Sequence, residues 1–128
     1  MRGLGKRWCG LYCCAVLALW GTQGKANDAS EILASCEVFL RQMTMDGHAV
    51  TIPPRGIPCW YYISALQDAI LNDDGQATLL KICTPPESRL VQHIRVFTQY
   101  AQNNPAALHN SPARIAVNAF RQAYPCGP

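Results

Sequence analysis

The chain has 128 residues, seven cysteines and a formal charge of +3. Its first 26 residues hold four of the eleven Lys/Arg, three of the cysteines and no acid, so residues 27–128 carry seven bases, eight acids and four cysteines and are close to neutral. That balance excludes a nucleic-acid or anionic-membrane binder, which needs clustered Lys/Arg, and about 100 residues make one domain with a modest core.

The segment Met1 to Ala26 reads as a secretory signal peptide. Arg2, Lys6 and Arg7 precede an apolar run of 13 residues, Trp8 to Trp20, and Gly24-Lys25-Ala26 offers small residues for cleavage. The run is too short to span a bilayer, which takes roughly 20 residues. The domain expected after cleavage, 27–128, is therefore an exported and soluble protein, in a compartment where thiols pair.

Helical periodicity dominates residues 27–128. The first helix is expected from Ala29 to Met43, capped by Asp28 with Glu31 at capping-box spacing. Its apolar stripe is Ile32, Cys36, Phe39, Leu40 and Met43. Residues 44–58 hold Gly47, Pro53, Pro54, Gly56 and Pro58, which excludes a helix and predicts a long loop. A second helix is expected from Pro58 or Cys59 to Leu71, with Trp60, Ile63, Leu66 and Ile70 on one face. Asn72-Asp73-Asp74-Gly75 should stop it, with Gly75 free to take positive φ, and Ala77 to Ile82 reads as a connector. A third helix is expected behind Thr84-Pro85-Pro86-Glu87, taken as a Thr cap with prolines in the first turn. Leu90, Ile94, Phe97 and Ala101 face inward along it, and Asn103-Asn104-Pro105 ends it. The fourth begins at Ser111-Pro112, turns Ala116, Ala119, Phe120 and Ala123 inward, and ends at Pro125. The fold class is all-α: a small disulfide-linked bundle of about four helices.

Cys36, Cys59, Cys83 and Cys126 are even in number and separated by 22, 23 and 42 residues, with no C-x-x-C. Two structural disulfides are expected, and sequence leaves three connectivities open. Antiparallel neighbours favour Cys36–Cys59 and Cys83–Cys126. No metal and no cofactor are expected, because His48, His93 and His109 lack i,i+4 partners and a carboxylate constellation.

Three blocks of the sequence resemble one family. Cys59-Trp60-Tyr61-Tyr62-Ile63-Ser64-Ala65-Leu66-Gln67-Asp68-Ala69 is similar to its Cys-x-x-Tyr-Ile-x-Gly-Val-x-Asp-Ala helix start, with Ala65 where the family has Gly. Cys83 and Pro85, then Gln92, Tyr100 and Asn104-Pro105, resemble its next block. Ala119 with Ala123-Tyr124-Pro125-Cys126 resembles its ending. The family is the Rap/Tai immunity proteins, and the resemblance covers Cys36 to Cys126. It implies a small, exported, disulfide-containing helical protein that acts in the periplasm by binding a peptidoglycan amidase effector delivered by type VI secretion. It also implies a possible homodimer.

The candidate contact residues come from the loops and the exposed aromatics. Trp60, Tyr61 and Tyr62 cannot all face the core, so at least one, taken as Tyr61, is expected at the surface as an anchor. The 45–58 loop offers His48 and Arg55. The 103–110 loop offers Asn104 and His109. Asp68 is expected to make a structural hydrogen bond, and His93 and Arg95 are expected on the solvated side of the third helix. A Ser-His-Asp nucleophile would need Ser64 or Ser88, His48 or His93, and Asp68, and no local context supports one. The chain reads as non-enzymatic. Two other readings share its composition: an exported helical domain with another partner, and an acid-stress periplasmic chaperone. The chaperone needs many titrating carboxylates, and only eight acids are present.

Overall fold

The computed structural model describes residues 28–46 and 49–127, so the signal-peptide reading of residues 1–26 lies outside the described residues. Helix α1 spans Ala29–Gln42 and is capped by Asp28, whose carboxylate accepts from the Ser30 N–H at 3.1 Å. Its buried side carries Ile32, Leu33, Ser35, Cys36 and Phe39, while Leu40 and Met43 pack at the edge of the core.

Residues 44–51 are not a plain loop. β1 (Thr44–Asp46) pairs antiparallel with β2 (Ala49–Thr51), with Thr44 opposite Thr51 and Met45 opposite Val50. The prolines that break regular structure begin only at Pro53, and β-branched Thr44, Val50 and Thr51 suit a pleated pair. A 3₁₀ turn, Pro54–Gly56, then leads into α2, Ile57–Leu66, with Pro58 in its first turn. The expected extent to Leu71 is met by a π turn, Gln67–Leu71, that continues α2. Its mark is the Asn72 N–H donating to the Gln67 carbonyl, 2.9 Å away.

Beyond the π turn the chain departs from expectation twice. The presumed connector is a helix, α3 (Asp74–Leu80), capped by Asp73 through the Gln76 N–H. Gly75 lies inside it, and the left-handed residue is Lys81, at φ 56°. The guanidinium Nε of Arg121 donates to the Leu80 carbonyl at 3.0 Å and holds the end of this helix. The third expected helix starts later than its presumed Thr84 cap. α4 runs Leu90–Asn103 behind Arg89, without a side-chain cap. The reason is tertiary. Ile82 bridges Pro125, the Cys83 N–H donates to the Tyr124 carbonyl at 2.8 Å, and Cys83 is disulfide-bonded to Cys126. The chain is held extended there, then turns through Pro85 to Ser88 before a helix can start.

α4 ends at a 3₁₀ turn, Pro105–Ala107, and α5 spans Pro112–Ala123 with Ser111 as its cap; Ala123, expected to face inward, is exposed in its last turn. α1 packs on α2, α4 and α5, and α4 also packs on α2 and α5. Phe39, Ile63, Ile94, Phe97, Ile115 and Phe120 fill the core between them. The bundle thus has five α-helices among the described residues, the fifth being the short α3. Both disulfides join the favoured pairs, Cys36–Cys59 and Cys83–Cys126, with Cα atoms 4.9 Å apart in each. In the chain-entropy picture they contribute about 3 and about 4 kcal/mol. That is a large part of the net stability of a domain this size.

Candidate partner-binding site

The sequence of α2, IPCWYYISAL, contains no charged residue. The outer faces of α1, α4 and α5 each carry charge: Glu31 and Arg41, Arg95, Arg114 and Arg121. α2 buries only Cys59 and Ile63 fully, with Trp60, Tyr62 and Leu66 half-buried beside them. Ile57, Tyr61 and Ala65, spaced i, i+4, i+8, lie on the exposed side. Tyr61 is 69% exposed and Ile57 41%. A helix that is apolar on every side is normally covered on every side.

Several contacts fix α2 in place, so its outer face is preorganised. The Ser35 hydroxyl donates to the Arg55 carbonyl at 2.8 Å and accepts from the Cys59 N–H at 2.9 Å. The Cys36–Cys59 disulfide lies beside that link. The rings of Phe39 and Trp60 meet at 5.6 Å. Gly56 lets the chain approach α1 closely, since a Cβ there would stand 3.0 Å from Phe39 Cα. The preceding hairpin adds Met45, 59% exposed. Leu79 on α3 is also exposed, but single surface apolar residues are ordinary.

The candidate contact residues fall into two groups. Arg55 is exposed in the turn that precedes α2. His48 lies outside the described residues. Asn104 is half-buried at the end of α4, where its side-chain amide donates to the Tyr100 carbonyl at 2.8 Å, and it lines a shallow cavity of about 260 Å³ between α4 and α5. His109 is exposed in the turn before α5. That turn docks on the start of α1, where the Ala29 N–H donates to the Leu108 and Asn110 carbonyls. Arg55 docks at Ser35 and Gly56 at Phe39, six and ten residues further along α1. The end of α4 that carries Asn104 reaches the same stretch of α1, where the Gln102 side-chain amide donates to the Glu37 carboxylate at 2.9 Å. Arg55 and Tyr61 belong to one stretch of chain, the turn and helix of residues 54–66, while Asn104 and His109 belong to the connection between α4 and α5.

The placement of His93 corrects the expectation of a solvated residue: it is 2% exposed. Its Nδ1 lies 3.1 Å from Gln67 Oε1 and its Nε2 3.0 Å from Ser88 Oγ. Its ring packs edge-on against Phe120 and Tyr124. Burial holds the imidazole below its ordinary value of 6.5 and so favours the neutral ring. Burial pushes the Tyr62 and Tyr124 phenols up. The sequence does hold the signal for a buried histidine: His93, Phe97 and Ala101 are spaced i, i+4, i+8, one row of α4. Arg95 is exposed as expected.

Ser88 and His93, both weighed for a nucleophile, thus meet. The Ser88 hydroxyl lies 2.8 Å from the Pro85 carbonyl and 3.0 Å from His93 Nε2, and its one proton serves either of them. The residue behind the histidine is Gln67. Asp68 is exposed and accepts from the Asn72 side chain at 3.0 Å, the structural bond expected of it.

A family model for Rap1a immunity proteins matches residues 28–126, nearly all of the described chain. The chain belongs to the Rap1a immunity protein family. It matches no curated protein and no solved structure. Membership makes this an immunity protein that binds a type VI effector toxin. The two disulfides agree with an exported member of the family.

Proposed function

We propose that residues 27–128 form a periplasmic immunity protein that binds a peptidoglycan amidase toxin and blocks its substrate groove. Residues 1–26 act as a cleaved export signal in this reading. The observation that carries it is the outer face of α2: Ile57, Tyr61 and Ala65 in one stripe, with no charge on the helix and Arg55 at its start. Tyr and Arg are the residue types that most often anchor interfaces. The Cys36–Cys59 bond and the Ser35 link hold this face before the toxin arrives, which lowers the cost of ordering it.

The test is co-expression in the periplasm of amidase effectors from several subfamilies, each with and without this protein. The expected result is that lysis by one amidase is suppressed and that a complex co-elutes in gel filtration. Absence of rescue and of complex across the whole set would remove the amidase assignment. Sedimentation of the protein alone reports the homodimer: a dimer that Ala65→Arg splits would mean that a second copy covers α2.

A further inference from the structure

The two disulfides sit in opposite surroundings. Cys36 and Cys59 are both fully buried, between α1 and α2. Cys83 is exposed and Cys126 half-buried, and their bond ties the segment after α3 to the segment after α5. This outer bond is one part of a clasp. Ile82 bridges Pro125, the Cys83 N–H donates to the Tyr124 carbonyl at 2.8 Å, and the Tyr124 ring packs on His93 and Phe120.

Hydrogen bonding and charge both bear on how readily the clasp opens. Among the described residues, the side-chain oxygens buried without a hydrogen-bond partner are Thr84 Oγ1 and Tyr124 Oη. Both belong to the clasp, Thr84 next to Cys83 and Tyr124 two residues before Cys126. A buried hydroxyl without a partner is a standing cost of the closed form, and opening relieves it by hydration. No acid lies within three residues of either cysteine along the chain, and Lys81 stands two residues before Cys83. Such a sequence does not repel an incoming thiolate, and a neighbouring base favours the thiolate that departs. The inner bond is the reverse case. The Ser35 hydroxyl beside it is bonded twice, and Glu37 follows Cys36.

We propose that Cys83–Cys126 is a thiol–disulfide exchange site, opened by a dithiol while the rest of the domain stays folded. Accessible disulfides are the labile ones, and enclosed ones resist reduction. One thiolate of the dithiol attacks the sulfur of Cys83, the more exposed residue, and forms a mixed disulfide. Cys126 departs as a thiolate and takes up a proton. The second thiol of the reagent loses its proton, attacks the reagent's own sulfur in the mixed bond and releases Cys83. The dithiol is oxidised to a disulfide, the protein bond is reduced by two electrons, and the two protons of the dithiol end on the two cysteines. Cys36–Cys59 meets no such reagent until the core opens. Reduction therefore frees the ends of α3 and α5 and leaves α2 in place. The domain loses resistance to unfolding and proteolysis before it loses the outer face of α2. The dithiol has two possible sources, a small molecule or a protein with a C-x-x-C pair. The site stands without the toxin assignment, since the reagent acts on the free protein.

The experiment exposes the oxidised protein to dithiothreitol without denaturant, quenches with an alkylating agent at intervals and maps the labelled cysteines by mass. Cys83 and Cys126 should be labelled about a hundredfold or more faster than Cys36 and Cys59, whose exposure waits for global unfolding. Helical circular dichroism should persist while only the outer pair is labelled. The double variant Cys83→Ser with Cys126→Ser holds the clasp open without a reagent. It should stay helical, keep Cys36–Cys59 and melt below wild type. A C-x-x-C protein with its second cysteine changed to serine separates the two sources. A mixed disulfide trapped on Cys83 assigns a protein dithiol, and none, with dithiothreitol active, assigns small dithiols. Simultaneous labelling of all four cysteines, earlier labelling of Cys36 and Cys59, no labelling before denaturant is added, or an unfolded double variant would overturn the proposal. None of these results depends on finding an amidase, so failure here and failure of the immunity assignment are separable.

Discussion

α5 and α2 are helices of similar length in one small bundle, and they treat their outer faces in opposite ways. α5 turns Ile115, Ala116, Ala119 and Phe120 inward and keeps Arg114, Arg121 and Gln122 in solvent. Its two faces are separated, and the helix is complete within the monomer. α2 turns Cys59 and Ile63 inward and leaves Ile57, Tyr61 and Ala65 outside, with no charge anywhere. The core needs only half of α2. A helix can be anchored by one face while the other stays apolar, provided something else supplies solubility and rigidity. Here a disulfide and a buried serine supply the rigidity, and the charged neighbouring helices supply the solubility.

That contrast can be broken from the α5 side first. Phe120→Ala deletes a fully buried ring and should cost about 3–5 kcal/mol, read as a lower denaturant midpoint. If the loss is below about 1 kcal/mol, α5 is not the completed helix described here. Ser35→Ala tests what holds α2. The hydroxyl serves both the Arg55 carbonyl and the buried Cys59 N–H, so its removal should cost about 1–3 kcal/mol. Ser111→Ala removes the cap of α5, where the side chain accepts from the Arg114 N–H, and should cost about 1 kcal/mol. Tyr61→Ala should move stability by no more than about 0.5 kcal/mol, because exposed positions rarely contribute more. A large melting shift in that variant would show that Tyr61 belongs to the fold.

His93 gives a test by pH. Its folded value lies below 6.5, so the folded state binds fewer protons than the unfolded state. Its neutral form is favoured, and the associated stability is fully present above about pH 6.5. That stability falls as pH drops below the unfolded value toward the lowered folded one. Thermal melts from pH 8 to pH 5 should show a decline below about 6.5 that is smaller in His93→Gln. Equal declines in the two proteins would remove His93 as the cause.

Where local chemistry decides, the sequence can be read directly. The Asp28 and Ser111 caps, the stripe of α1 and the end of α5 are set by residues within one or two turns. The cysteine pairing found is the one that antiparallel neighbours favour among three open connectivities. The misread parts depend on distant contacts. The Thr84 motif has the right residues for a helix start, but Cys83 is held to residues 124–126, which delays α4 to Leu90. The β1–β2 pair is too short for its period to show in the sequence. His93 is polar by residue type and becomes core only when Gln67 and Ser88 arrive to bond both of its nitrogens. Of the contact candidates, the exposure of Tyr61 is legible, because three consecutive aromatics cannot share one face of a helix. Where Arg55 and His109 lie depends on where each loop docks along α1.

Contact between the outer face of α2 and the toxin is open to direct measurement. The experiment is titration calorimetry of the type VI effector that pairs with this protein against wild type, Tyr61→Ala and Ala65→Arg. A loss of about 2 kcal/mol or more is expected for Tyr61→Ala, roughly 30-fold in affinity. No detectable binding is expected for Ala65→Arg, with both variants melting within a few degrees of wild type. Undiminished affinity in both folded variants would contradict this assignment and move the contact surface away from α2.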